Sequence, residues 1–510
     1  RITPAILGAL FTFLYLKGLK LSSVASIFGA VTFGFSPFIL TWGEEVVMSP
    51  HSIIWLPLIL FSIEKYLVLP WKDRYKYLAL IAVSTAFSFL GGYMQTTIYM
   101  FVFIAFYLWF KFFVEQKVRI KRAIFDLSAL VFSFVLGALL TAFQLLISAE
   151  LFFNAARSQI SLKETLFEFL VPVWGVLTYL APDFFGSPAT HNYFRPGVAQ
   201  YYEGIMFVGV AALMFAFFAI FYLKNRFVTF LSVFALISLS TTLDLPTSRF
   251  LLSVPIPFLS TSIANRILFL PAFCLAVLAA LGMQKWLDSE KDRNIFKIIF
   301  GFLAIYFVVV FLILGYKIFE LPYFVGGKFD SAQNIMVSLR NLVLPIVVFL
   351  ATSVLIVFSS FFEKYKKTIA LLIVFGAMLH IFLFCQKYFS FVDRKYVFPQ
   401  SKVFDYVSQN AGIYRVWGVG EGYIENNFAS QYGIYWPEGY DSLNNKSYGE
   451  FTYAMQGNNL QEFIFRADAG LGMGKAIEVL ENPSRRRLID MVGVKYVIGA
   501  TDDDEVFEKN

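Results

Sequence analysis

The chain has 510 residues, of which 58% are hydrophobic, 19% aromatic and only 15% charged; this is too apolar for a soluble surface, so lipid is the expected solvent for most of it. The net charge of +7 does not point to nucleic acid, because Lys and Arg fall in short clusters between apolar runs, as the positive-inside rule expects. The two cysteines, Cys274 and Cys385, both lie in apolar segments and can assemble neither a disulfide framework nor a zinc site.

After Arg1, the stretch ITPAILGALFTFLYL already reads as a spanning helix that ends at Lys17 and Lys20. With no Met at its start and no cleavable signal peptide, the chain is expected to be a fragment lacking its true N-terminus. Apolar segments of spanning length run from Ile2 to Leu16, Val24 to Leu40, Ile53 to Leu69, Tyr77 to Leu90, Thr96 to Phe113 and Ile124 to Leu146. They continue from Ile205 to Leu223, Phe227 to Leu243, Ile267 to Leu287, Ile295 to Leu314, Leu342 to Phe362 and Thr368 to Phe384. The predicted fold is a mainly α, polytopic membrane helix bundle of about twelve spans over residues 1–386, with an external loop at 149–204.

Alternate loops divide by charge. One set holds Lys17 and Lys20; Lys72, Arg74 and Lys76; Lys117, Arg119, Lys121 and Arg122; Lys224 and Arg226; Lys285, Lys291 and Arg293; and Lys364, Lys366 and Lys367. The other set is poor in Lys and Arg for its length, which predicts that it faces outward across the plasma membrane and carries everything after Gln386 to the extracytoplasmic side.

Residues 387–510 have mixed charge and shorter apolar periods, and predict a small soluble α/β domain. KVFDYVSQ reads as a helix, YRVWGVG as a strand, PSRRRLIDMVG as a helix with a Gly stop and VKYVIGA as a buried strand. The chain stops on a charged run, DDDEVFEKN, so this domain too is expected to be cut.

No P-loop, dinucleotide fingerprint, HExxH helix or paired CxxC is present. GLGMGKA, from Gly470, lacks the Walker spacing. The spans look almost free of ionisable residues, with His380 and Gln144 toward helix ends, snorkelling or bonded to a neighbour, which disfavours an ion-coupled pump. Polar residues gather instead on the outer side, in WGEEVVMSPH, GGYMQTT, the segment from Glu150 to Glu203, and around Arg249 and Arg266. That suits a substrate with an apolar tail in lipid and a charged head in water, or an ordinary polar rim.

FGFSPFILTWGEEVVMSPHSIIWLPLILFSIEK, LGGYMQTTIY, APDFFGSP, YYEGIMFVGVAAL, ANRILFLPAFCLAVLAALGMQKWL, EGYDSL and LIDMVGVKYVI, in that order, resemble the YfhO-like bacterial membrane proteins of the GT-C glycosyltransferase superfamily. Relatives often read Gly-Gly-His-Pro-Gln where this chain has Tyr93 and Met94 before Gln95. The resemblance implies transfer of a sugar from a polyprenyl-phosphate-linked donor to an extracytoplasmic acceptor: a cell-envelope glycan, teichoic-acid-like polymer, lipid or protein. It also implies a catalytic acidic residue in a first external loop, expected N-terminal to Arg1.

Such chemistry needs cations for the phosphate and a carboxylate or imidazole near the acceptor hydroxyl. The candidate substrate-binding residues are Glu45, His51, Gln95, Arg157, Arg249, Arg266 and Glu203, with Glu44 and Asp183 as candidate ligands of a divalent cation. Two other classes compete: a lipid-linked glycan flippase or exporter, and a membrane-anchored glycan-binding or assembly factor using Tyr423, Tyr432, Tyr435, Trp436 and Tyr440.

Overall fold

The computed structural model describes residues 2–117, 119–155, 163–194, 200–254, 262–289, 293–324, 330–389, 391–419, 422–441, 443–455, 468–469, 482–499 and 506–508. The chain is mainly helical and divides into two compact units, 1–142 with 162–389 and 143–161 with 390–510.

Among the described residues of the first unit, eight helices are long and apolar enough to cross a membrane: Ser23–Glu45, Met48–Val68, Met94–Glu115, Ile120–Leu140, Ala264–Asp288, Asn294–Ile318, Ser331–Ser359 and Glu363–Tyr388. The other four apolar segments are also helical. Ile2–Gly18, Val210–Tyr222 and Arg226–Ser240 are shorter, and Trp71–Leu90 carries Lys72, Asp73, Arg74 and Lys76 in its first turns. The segment expected to run on to Leu146 breaks at Thr141, where Ile120–Leu140 ends and a separate helix, Ala142–Asn154, begins.

Local chemistry sets several starts. Ser22 and Ser36 accept from the Ala25 and Ile39 amides, with Pro37 opening the second of these helices, and Asp330 forms a capping box with Gln333. Phe269–Asp288 is the centre of the unit, buried along most of its length and packed against Val210–Tyr222, Ser23–Gly34 and Arg226–Ser240. Gly282 permits this, since an added Cβ would fall 2.0 Å from the Phe215 carbonyl oxygen. Outer helices such as Asn294–Ile318 instead expose Phe300, Phe307 and Phe311, a surface that water would penalise and lipid would not.

Hydrogen bonds tie the basic turns together at one end. Tyr15 meets the Tyr107 hydroxyl at 3.1 Å, Arg226 donates to the Val114 carbonyl at 3.0 Å, Gln284 accepts from the Ser22 amide at 2.8 Å, and Lys366 donates to the Ser289 carbonyl. Two buried ion pairs lie at this end. Lys111, in the π-helical turn Phe110–Glu115, is 2.7 Å from Glu64 and 2.6 Å from Glu115, and Tyr107 donates to Glu64. Asp126 takes Arg74 at 3.1 Å and the Tyr66 hydroxyl at 3.0 Å. Glu64, Lys111 and Asp126 sit inside apolar helices, one to two turns from their ends, and persist there because each is paired.

In the second unit Arg415–Val419 pairs parallel with Val494–Gly499, which pairs antiparallel with Val506–Glu508. Alternate strand residues enter different cores: Val416, Tyr496 and Ile498 join Val407 of the helix Lys402–Asn410, while Trp417, Val419 and Val497 join Ile489 of Pro483–Met491.

Candidate functional site

At the ends of the helices opposite the basic turns, polar side chains converge. The turn after Trp71–Leu90 starts the arrangement. Gly91 lies so close to the short helix Met48–Ile53 that a Cβ would fall 2.5 Å from Ser52 Oγ and 2.7 Å from its amide nitrogen, and Gly92 has φ of 84°. Ser52 Oγ accepts from the Tyr93 amide at 3.1 Å. The helix Met94–Trp109 begins there, which places Gln95 in its first turn.

The short 3-10 helix Ala264–Leu268 brings Arg266 to the same point. Its Nη1 donates to Gln95 Oε1 at 2.8 Å, while Gln95 Nε2 donates to the Tyr99 hydroxyl at 2.8 Å and the Ile263 carbonyl at 2.9 Å. The guanidinium lies 5.3 Å from the centre of the Tyr93 ring. Glu203, only 2% exposed, approaches Nη2 at 3.9 Å, which is an ion pair without hydrogen-bond contact.

Glu203 belongs to the turn Tyr201–Gly204, whose three side chains reach four neighbours. Tyr201 donates to Asp183 and stacks on Tyr388 with ring centres 5.7 Å apart; Tyr202 packs edge-on to Trp42 at 4.9 Å; Glu203 faces Arg266. Tyr388 donates to Glu45, and Lys387 donates to Asp183. Asn341 Nδ2 donates to the Asp183 carbonyl at 2.5 Å. Burial, and then the Asp183 charge, push the Tyr201 phenol well above its ordinary range; burial and Glu203 do the same to Tyr202. Both therefore remain neutral phenols.

Of the sequence candidates, Gln95, Arg266 and Glu203 form one contiguous cluster, and Asp183 and Glu45 join it through Tyr201, Tyr202 and Tyr388. His51 turns back on its own helix, its Nδ1 2.7 Å from the Val47 carbonyl. Arg249 is exposed and forked onto Asp244 at 2.7 and 3.0 Å, with its guanidinium 5.5 Å from the centre of the Phe167 ring. Glu44 is half-buried beside Glu45. Arg157 and the GLGMGKA stretch lie outside the described residues. Among the described residues, no group of three or more His, Cys, Asp or Glu could hold a metal ion, and the Asp183 carboxylate is engaged by Tyr201 and Lys387.

His380 corrects its expectation: it is 2% exposed and packs edge-on against the Phe207 ring at 5.0 Å, with no path to snorkel. Gln144 bonds Ser148 one turn along its own helix at 3.2 Å. Sequence reasoning missed Lys387, Tyr388, Tyr201 and Tyr202. A signal existed in the pair Lys387–Tyr388, a cation and an amphipathic ring where a span leaves the apolar region.

Compared with protein-family models, curated proteins and solved structures, the chain matches none of them. Fold and site define it by class: a mainly helical chain with, among the described residues, eight helices long and apolar enough to cross a membrane, and a half-buried guanidinium among carboxylates and tyrosines at one end of the bundle.

Proposed function

We propose that this chain is part of a YfhO-like, GT-C type membrane glycosyltransferase of about twelve spans, which takes a sugar from a polyprenyl-phosphate-linked donor and passes it to an acceptor outside the plasma membrane. The observation that carries the reading is the Arg266 guanidinium. It is held in place by neutral Gln95 and the Tyr93 face, with its nearest observed carboxylate at 3.9 Å. A planar fork fixed in this way is suited to a phosphate that arrives from lipid, binding two oxygens at once and stabilising the leaving phosphate as the glycosidic bond breaks.

Glu45, exposed and bonded to the Tyr388 hydroxyl, supplies a carboxylate on the same rim that can position an acceptor hydroxyl, while the buried Asp183 holds Tyr201 and Lys387 in place. The cell-envelope acceptor and the extracytoplasmic placement of the α/β tail belong to the same proposal. Sugar transfer from a polyprenyl-phosphate donor, measured in membranes holding the protein and normalised to folded protein, tests it. Activity that depends on Arg266 supports the reading; activity unchanged when Arg266 is replaced removes it.

A further inference from the structure

A groove of about 790 Å³ opens on the side of the first unit. Its walls come chiefly from the helices Val210–Tyr222, Arg226–Ser240, Phe269–Asp288 and Asn294–Ile318, and they are apolar along almost the whole length, as at Leu236 and Leu275. Among the described residues that line it, Lys297 is the one that carries a charge, and its ammonium lies 5.8 Å from the centre of the Tyr222 ring, another wall residue. Lys297 sits in the first turn of Asn294–Ile318, at the basic end of the bundle, whereas Val309 lines the groove twelve residues further on. At the rise of a helix that separation is about 18 Å, close to one leaflet's share, about 15 Å, of the hydrocarbon core.

We infer that this groove is a binding site for an anionic diacyl phospholipid of the leaflet at the basic end, with its acyl chains along the groove and its phosphate at Lys297. A flat apolar face would be wetted by any lipid. A concave face one leaflet deep, with a cation at a single end, instead selects the lipid that has a negative head at that depth. The Lys285 ammonium, over the Phe218 ring at 5.8 Å, and the exposed Arg226 add positive charge at the same end. The inference is independent of the transferase reading, whose phosphate site lies at the opposite end of the bundle.

Gly301 provides the discriminating variant. It lines the groove, and a Cβ added there meets nothing within 4 Å, so Gly301→Leu would enter the groove from an unobstructed Cβ and bring a better helix former. The full chain would be purified in neutral detergent and offered phosphatidylglycerol or phosphatidylcholine with identical acyl chains, and bound lipid counted by native mass spectrometry, with helicity monitored by circular dichroism. Phosphatidylglycerol should be retained over phosphatidylcholine by about fivefold. Lys297→Gln should abolish the preference while leaving a lipid bound, and Gly301→Leu should lower retention of both lipids at unchanged helicity. Equal retention of the two lipids by the unsubstituted protein, a preference that survives Lys297→Gln, or undiminished retention by Gly301→Leu would each overturn the site. Displacement of phosphatidylglycerol by an equimolar polyprenyl phosphate would overturn the diacyl assignment.

Discussion

Arg266 and Gln95 are joined by a 2.8 Å hydrogen bond from a guanidinium to an amide oxygen across 171 residues of chain. The bond fixes which way the amide points, because Gln95 Nε2 is committed to Tyr99 and the Ile263 carbonyl, and its oxygen is thereby presented to the cation.

Arg266→Lys keeps the charge but loses the fork, the Gln95 geometry and the broad contact with the Tyr93 ring. Donor use should fall by about tenfold or more, because a two-pronged phosphate contact contributes more than a point charge. Gln95→Leu should do similar harm by leaving Arg266 unsupported. Transfer rates at several donor concentrations would check this, with folded protein measured in parallel.

Arg249 serves as the contrast. Its hydrogen bond lowers the Asp244 pKa below the usual carboxylate range, so the contribution of the pair is present above the unfolded carboxylate pKa, about 4, and is lost as pH falls through the lower folded value. Arg249 is exposed and Asp244 partly so, and Arg249→Ala should leave transfer and the melting temperature near those of the unsubstituted protein at neutral pH. A loss comparable to that of Arg266→Lys would place Arg249 in the site.

Gly91→Ala tests how the cluster is positioned. The new Cβ would overlap Ser52 Oγ at 2.5 Å and the Ser52 amide nitrogen at 2.7 Å, and the backbone cannot yield as a flexible side chain would. Destabilisation of about 1–3 kcal/mol is expected, read as a lower melting temperature in detergent. Because Tyr93 and Gln95 follow at once, activity per folded molecule should fall too.

The general character of the fold was legible because lipid imposes a simple rule: long apolar runs become helices with satisfied backbones. Gln95, Glu203 and Arg266 were legible as polar groups on the poorly basic side. Their mutual contacts were not, since hydrogen bonds across hundreds of residues leave no local pattern. Glu64 and Lys111 did leave one: each is a charged residue near the end of an apolar run, and opposite signs in such places call for each other. His51 misled because a histidine in a polar loop looks available, whereas a backbone carbonyl one turn back occupies it.

The Glu64–Lys111 pair gives a prediction with a sign reversal. Both side chains are nearly buried, at 12% and 5% exposure, so Lys111→Met alone should cost about 3–5 kcal/mol by leaving Glu64 uncompensated. Adding Glu64→Gln should recover most of that loss, since Tyr107 can donate to an amide oxygen as it does to the carboxylate. Thermal melting of both variants would decide it, and a double variant no better than the single one would sink the pairing argument.

The same pair bears on how the chain enters the membrane as it is made. A lysine in an apolar helix is costly to place in hydrocarbon, and ribosomes deliver residues in order, N-terminal first. Glu64 emerges before Lys111, and so does Tyr15, whose hydroxyl supports Tyr107. When the helix Met94–Trp109 and its π-helical extension arrive, the counter-charge is already in the bilayer to receive them. An interchange of the two charges would send the cation in first, and would also set a carboxylate at 111 against Glu115 and take the acceptor away from Tyr107, so the order of synthesis and the finished contacts favour the same arrangement.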